Sequence, residues 1–160
     1  EHLEAVIDCL RSCGAEIAVA AGGVTVRGGG ARKASAVTTA PYPAFPTDMQ
    51  AQMLALFATV PGTSRVTETV YPDRFMHVSE LNRMGARIVR EGPAAVVHGV
   101  PALSGAPVMA SDLRASAALV LAGLVAEGTT VIDRVYHLDR GYERMEEKLR
   151  SLGAKIKRIK

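Results

Sequence analysis

The sequence predicts an α/β (α+β) fold in which sheets are covered by helices and similar units repeat with approximate threefold symmetry. Three observations predict it. A short string recurs three times, as Leu10–Ile17 (LRSCGAEI), Leu81–Ile88 (LNRMGARI) and Leu149–Ile156 (LRSLGAKI). Amphipathic helical patterns alternate with short β-branched runs, as in sheets covered by helices. Finally, Thr47-Asp48-Met49-Gln50-Ala51 parallels Ser111-Asp112-Leu113-Arg114-Ala115 at the start of two long apolar helices.

The elements follow in order. Leu3, Val6, Ile7 and Leu10 lie at i, i+3, i+4 and i+7, an amphipathic helix. It ends on Gly14, and the repeated glycines Gly14, Gly85 and Gly153 stand 71 and 68 residues apart. Glycine suits the left-handed residue that closes a helix. A repeat of about 70 residues is too long for an ankyrin-like solenoid. Gly23 to Arg27 reads as a strand, and Gly28-Gly29-Gly30 as a flexible hairpin loop that opens no helix and so is no dinucleotide fingerprint. The apolar helix from Thr47 ends at Pro61-Gly62-Thr63, and its counterpart from Ser111 ends at Glu127-Gly128-Thr129. Strands are expected over Val66–Tyr71 and Thr129–Tyr136, each followed by Asp73-Arg74 or Asp139-Arg140 and a second amphipathic helix. Ala94–His98 completes a sheet, and Lys155–Lys160 alternates like a strand with one basic face. Each unit thus reads as helix, strand, helix, strand, strand. The first lacks its front half, and the chain begins on Glu1 beside a helix, so it reads as a piece of a longer chain.

The bulk numbers bound the function. The 160 residues suit one domain, 48% are hydrophobic, and the net charge is +3. So small an excess gives no case for nucleic acid, and no apolar run approaches a membrane span. Several cations for a small anion fit better. Cys9 and Cys13 share a helix face and read as core residues in a reducing compartment, not as a disulfide. His2, His77, His98 and His137 have no metal-ligand spacing; His77 and His137 read as packing or capping residues near helix starts.

Thr47 and Ser111 read as N-caps, with Thr47 and Gln50 forming a capping box. Asp48 and Asp112 then occupy the first helical position of equivalent helices. Asp73 and Asp139 read as further N-caps, placing Arg74 and Arg140 at helix starts. With the symmetry assumed, these junctions share one end of the domain, where free N–H groups and Arg74, Arg114 and Arg140 suit phosphates and carboxylates. Taken singly, an acidic helix start is a stabilising feature worth ~0.3–1 kcal/mol. The recurrence of acid and arginine at one register favours a site.

At these residues the sequence resembles the UDP-N-acetylglucosamine 1-carboxyvinyltransferases. The likeness is carried by Ala40–Gln52 (APYPAFPTDMQAQ), Thr67–Gly85 (TETVYPDRFMHVSELNRMG), Leu103–Glu127 (LSGAPVMASDLRASAALVLAGLVAE) and Val131–Gly153 (VIDRVYHLDRGYERMEEKLRSLG). The resemblance implies an inside-out α/β barrel of βαβαββ units, truncated in its first unit. Residues 1–160 would form the C-terminal part of a two-domain enolpyruvyl transferase whose N-terminal region is absent here. It implies a cytoplasmic enzyme of peptidoglycan synthesis that moves an enolpyruvyl group from phosphoenolpyruvate to the 3-hydroxyl of UDP-N-acetylglucosamine. No cofactor or metal is implied.

By motif, Asp48 resembles the acid that contacts the sugar 3-hydroxyl and acts as general base. Asp112 resembles a proton carrier, and the Val70 backbone a contact to the UDP-sugar. Arg74 resembles a charged residue of the closed cleft, and Arg114 and Arg140 resemble the arginines that hold phosphoenolpyruvate. The family's catalytic Cys and its early Lys-Asn pair have no counterpart here, so the chain alone is expected to be inactive. The alternatives are the sister 3-phosphoshikimate enzyme and a non-catalytic scaffold.

Overall fold

The computed structural model describes residues 2–29 and 33–159. Helix α1 (Glu4–Ser12) leads into the antiparallel hairpin β1 (Glu16–Ala20) and β2 (Gly23–Arg27). The second unit runs β3 (Ala36–Thr38), a 3-10 turn Thr47–Met49, α2 (Gln50–Phe57), β4 (Thr63–Thr67), α3 (His77–Arg83), β5 (Arg87–Glu91) and β6 (Ala94–His98). The third runs β7 (Pro107–Met109), α4 (Leu113–Val125), β8 (Val131–Asp133), α5 (Tyr136–Asp139) and α6 (Met145–Ser151).

The repeat is visible in the topology. The second unit builds a four-stranded sheet in the order β3-β4-β6-β5, with β3 parallel to β4 and the other neighbours antiparallel. The third begins the same sheet: β7 pairs with β8 in parallel, as β3 does with β4. The first unit contributes the hairpin that corresponds to β5 and β6. Gly14, Gly85 and Gly153 end α1, α3 and α6 at φ of 94°, 89° and 95°. Such left-handed values would strain any side chain, which explains glycine at each repeat of the motif.

The apolar helices lie inside. Helix α2 packs on α4, and Ala51, Leu54, Phe57, Ala118, Leu119 and Ala122 are buried there. Small residues on both helices permit close approach, and a helix apolar on all sides is the expected form of a central helix. The amphipathic face of α1 is only partly covered. Val6 is buried, while Leu3 stays 56% exposed. Cys13 is buried and Cys9 half-buried, both as free thiols. Burial, with Cys13 beside it, pushes the Cys9 thiol up to about 11, so it is no ready nucleophile.

Several expected boundaries move. The strand expected over Val66–Tyr71 is β4, ending at Thr67, because Glu68 turns the chain. The strand expected over Thr129–Tyr136 shrinks to β8, since Arg134 adopts a left-handed φ of 59° and α5 starts at Tyr136. The hairpin turns at Ala21-Gly22; Gly28 and Gly29 form a later turn after β2, and Gly30 lies outside the described residues, as do Glu1 and Lys160. Residues 155–159 form no strand, having no ladder partner among the described residues. They are held instead by Ile156 against the Val120–Leu138 cluster and by Arg158, which binds Asp139 at 2.6 Å and Glu146 at 2.8 Å.

Candidate functional site

The 3-10 turn is followed directly by α2, and Met49 N–H donates to the Pro46 carbonyl at 3.0 Å. Thr47 does not cap this helix, and Gln50 makes no capping box. The Thr47 hydroxyl instead donates to Glu68 Oε2 at 2.7 Å and accepts from Arg74 Nη1 at 3.0 Å. A capping hydroxyl accepts from a backbone N–H, but here its oxygen accepts from the Arg74 guanidinium while its proton goes to Glu68, which explains the lost cap. Gln50 is fully buried, and neither polar atom of its side chain has a partner among the described residues.

Asp48 sits in the middle of the 3-10 turn, its side chain 57% exposed. Its Oδ1 accepts from Arg74 Nη1 at 3.0 Å and from Arg114 Nε at 2.9 Å. These arginines come from the loop before α3 and from the first turn of α4, so two units converge on one oxygen. Oδ2 bonds to none of the described residues. The Arg114 hydrogen bond, set against partial desolvation and joined by Arg74, holds the Asp48 carboxyl below its usual range. Arg114 gains in turn: the Asp48 bond raises its already high basicity. Arg74 also lies 5.1 Å from the Tyr71 ring centre, which steadies the guanidinium from its far side.

Asp112 has another geometry. Its backbone is extended (φ −155°, ψ 176°), and Oδ1 accepts from Arg114 N–H at 2.8 Å and Ala115 N–H at 3.0 Å. Asp112, not Ser111, is therefore the N-cap of α4, and it does not occupy the same helical position as Asp48. The Ser116 hydroxyl donates back to the Asp112 carbonyl.

The remaining expected caps also shift. Asp73 precedes α3 by several residues and pairs with Arg90 at 2.7 Å. Asp139 ends α5, its carboxylate taken by Arg158, and Arg140 is the exposed C-cap of that helix rather than its start. The loop after Arg140 nonetheless packs on α4 and α2. A Cβ on Gly141 would lie 2.9 Å from Leu113 Cδ2, so this loop rests on the start of α4. Gln52 Nε2 donates to the Tyr142 hydroxyl at 3.3 Å, joining it to α2. The turns near positions 48 and 114 thus meet at Asp48, and residues 141–142 pack against the two helices that carry them. Val70 is 44% exposed, with its N–H donated to Glu68 Oε1 at 2.9 Å.

Sequence reasoning passed over Glu68. It is fully buried and accepts from Thr39 Oγ1 at 2.5 Å, Thr47 Oγ1, Val70 N–H and Tyr71 N–H. Burial alone would raise its pKa, but these four donors bring it below the usual range. The available signal was an acid inside the otherwise uncharged run Val66-Thr67-Glu68-Thr69-Val70.

His77 is buried at the start of α3, with Nε2 unpartnered among the described residues; burial lowers it to about 4. His137 packs 4.3 Å from Tyr136. Among the described residues there is no group of three or more His, Cys, Asp or Glu placed to hold a metal, and no helix long and apolar enough to cross a membrane.

Known proteins match this chain in sequence and fold. A family model described as EPSP synthase (3-phosphoshikimate 1-carboxyvinyltransferase) matches residues 1–149. A UDP-N-acetylglucosamine 1-carboxyvinyltransferase of Anaeromyxobacter sp. (strain Fw109-5) is 63% identical over 160 residues, all of this chain and 38% of the relative. The protein of that name from Anaeromyxobacter dehalogenans (strain 2CP-1 / ATCC BAA-258) is 61% identical over 159 residues, 99% of this chain and 38% of the relative. The chain therefore spans about two fifths of the length of the curated relatives it matches. Among solved structures, the enolpyruvyl transferase NikO from Streptomyces tendae superposes with a TM-score of 0.86 at 32% identity, over 97% of this chain and 36% of that one. EPSP synthase from Acinetobacter baumannii shares the fold, with a TM-score of 0.71 at 21% identity over 97% of this chain and 36% of that one. With its repeated units and its Asp–Arg mouth in place, the chain belongs to the EPSP synthase family of enolpyruvyl transferases.

Proposed function

We propose that the chain is the acceptor-side part of a UDP-N-acetylglucosamine 1-carboxyvinyltransferase, with residues 1–160 as the C-terminal domain portion and the rest of the site supplied by an N-terminal domain. The observation that carries this reading is the Asp48 carboxylate, with one oxygen held by Arg74 and Arg114 and the other open to the mouth. Its close relatives carry that enzyme's name, which favours the UDP-sugar over the shikimate phosphate of the sister enzyme.

In this reading Oδ2 of Asp48 accepts the hydrogen bond of the sugar 3-hydroxyl. Two guanidiniums keep Asp48 ionised, so it is always ready to accept, but they also make it a weak base. Its larger contribution is then to aim the hydroxyl oxygen at C2 of phosphoenolpyruvate, since a well-oriented reactant saves much of the barrier. As the O–C2 bond forms, the hydroxyl O–H bond breaks with its proton passing to Asp48 Oδ2, C3 gains a proton from the acid on its other side, and a tetrahedral phospholactoyl adduct results. Loss of phosphate from C2 and of a proton from C3 regenerates the enol ether. Asp112 is the candidate for the proton at C3: its Oδ1 is tied to α4, and Oδ2 bonds to none of the described residues. Arg114 spends only Nε on Asp48, so its two Nη nitrogens can take an oxyanion of phosphoenolpyruvate, and Arg140 adds a second cation at the same mouth. The Val70 carbonyl is the rim group for the sugar nucleotide, its N–H being engaged. The enzyme works in the cytoplasm and contributes to peptidoglycan synthesis, with no membrane or nucleic-acid partner.

The test is kinetic. The full-length protein turns over UDP-N-acetylglucosamine with phosphoenolpyruvate and ignores shikimate 3-phosphate, and the 160-residue chain alone shows no turnover. Arg140→Ala raises KM for phosphoenolpyruvate. Turnover with shikimate 3-phosphate, or none with the UDP-sugar, overturns the reading.

A further inference from the structure

Glu68 joins two loops that carry different parts of the mouth. Its Oε1 fastens the Val70 and Tyr71 N–H groups and Thr39, and its Oε2 fastens Thr47, beside Asp48. The two oxygens differ in what they can tolerate. Oε1 receives three donors, so any residue placed here must present an acceptor to that side. Oε2 receives only the Thr47 proton, and this fixes the Thr47 lone pairs toward Arg74 Nη1 at 3.0 Å. The same Nη1 then reaches Asp48 Oδ1 at 3.0 Å. Every link of the chain Glu68, Thr47, Arg74, Asp48 has a defined donor and acceptor.

We infer that Glu68 is a positioning residue for the acceptor sugar, acting through Thr47 and Arg74 on Asp48 and through the 70–71 turn on the rim. It touches no substrate itself. The inference rests on the proposed transferase reading and adds that Glu68 acts mainly on the acceptor side: it braces Asp48 and Val70, and reaches the donor-side Arg114 only through the shared Asp48 Oδ1.

Glu68→Gln in the full-length protein tests it. The glutamine keeps the size, and its carbonyl can serve the three donors at Oε1. Its amide then faces Thr47 as a donor, so the threonine proton loses its acceptor and Arg74 loses its fixed partner. The expected result is a rise in KM for UDP-N-acetylglucosamine of about tenfold or more, from one charge-assisted hydrogen bond lost, with a clearly smaller rise in KM for phosphoenolpyruvate, since Arg114 keeps its own bond to Asp48. Thr47→Val should give the same split, and the double variant no more than either alone, because both break one chain. Thr39→Val, which removes the Glu68 donor remote from Asp48 together with the acceptor of the Thr69 N–H, should lower the melting temperature without the split. Equal rises in both KM values, or none, in a folded Glu68→Gln protein would overturn the positioning role, as would additive Glu68→Gln and Thr47→Val effects. Wild-type protein without turnover on these substrates would instead sink the underlying transferase reading, which separates the two failures.

Discussion

The second and third units carry the same sequence signal, an aspartate opening an apolar helix, and put it to different uses. Asp112 turns back on its own helix and caps α4 through Arg114 and Ala115 N–H. Asp48 leaves its helix uncapped and is held by guanidiniums from two other elements. A 3-10 turn under Asp48 and an extended residue at Asp112 make the difference. One carboxylate is therefore a structural group with a spare oxygen, and the other a site group fixed from outside. Local sequence is nearly the same; the neighbours decide.

The comparison breaks most visibly at Asp48. Asp48→Asn keeps the shape and removes the charge that both arginines hold, so kcat/KM should fall by ~10²–10⁴-fold, the range for a lost acid–base or positioning carboxylate. The melting temperature should barely move, because the group is mostly exposed. Kinetics of the full-length variant near wild type would remove Asp48 from the site.

His77 comes next, packed where the second unit meets the third and within the field of Asp112. Burial lowers it to about 4, so as pH falls the unfolded chain takes up this proton first. Its contribution is intact above about pH 6.5 and is lost as pH drops toward the folded value, up to about 3 kcal/mol in all. Denaturant titrations of His77→Phe at pH 7 and pH 5 should show a smaller loss than wild type; an equal loss would mean that another group drives the acid instability.

Asp112 separates its two roles by substitution. Asp112→Ala should cost ~1 kcal/mol of stability through the lost cap, and Asp112→Ser should recover most of it. If the spare oxygen handles a proton, the serine variant stays slow while stable. A serine variant as active as wild type would leave Asp112 as a cap and nothing more.

The smallest effect belongs to the ionic clasp of the third unit. Arg158 binds Asp139 and Glu146 near the surface, so Arg158→Ala should lower stability by less than ~1 kcal/mol, and the loss should fade in high salt. An effect independent of salt would point to lost packing around Ile156 instead.

The repeat, the glycine-closed ends of α1, α3 and α6, and the strands at 23–27 and 94–98 were legible in the chain because each depends on local signals: glycine where φ is positive, β-branched runs, and apolar spacing. Asp48, Arg74 and Arg114 were legible too, as residues. Their geometry was not. Thr47 reads as a cap until Arg74, 27 residues on, donates to its hydroxyl oxygen and Glu68 takes its proton. Asp139 reads as a helix start until Arg158, 19 residues on, draws its carboxylate away. Tyr142 carries no site signal at all until Gln52, 90 residues earlier, meets its hydroxyl. Composition and periodicity determine which segments form and which faces they bury. Which hydrogen-bonding partner a polar side chain takes is a competition between local and distant groups, and only the packed units bring the distant ones within reach.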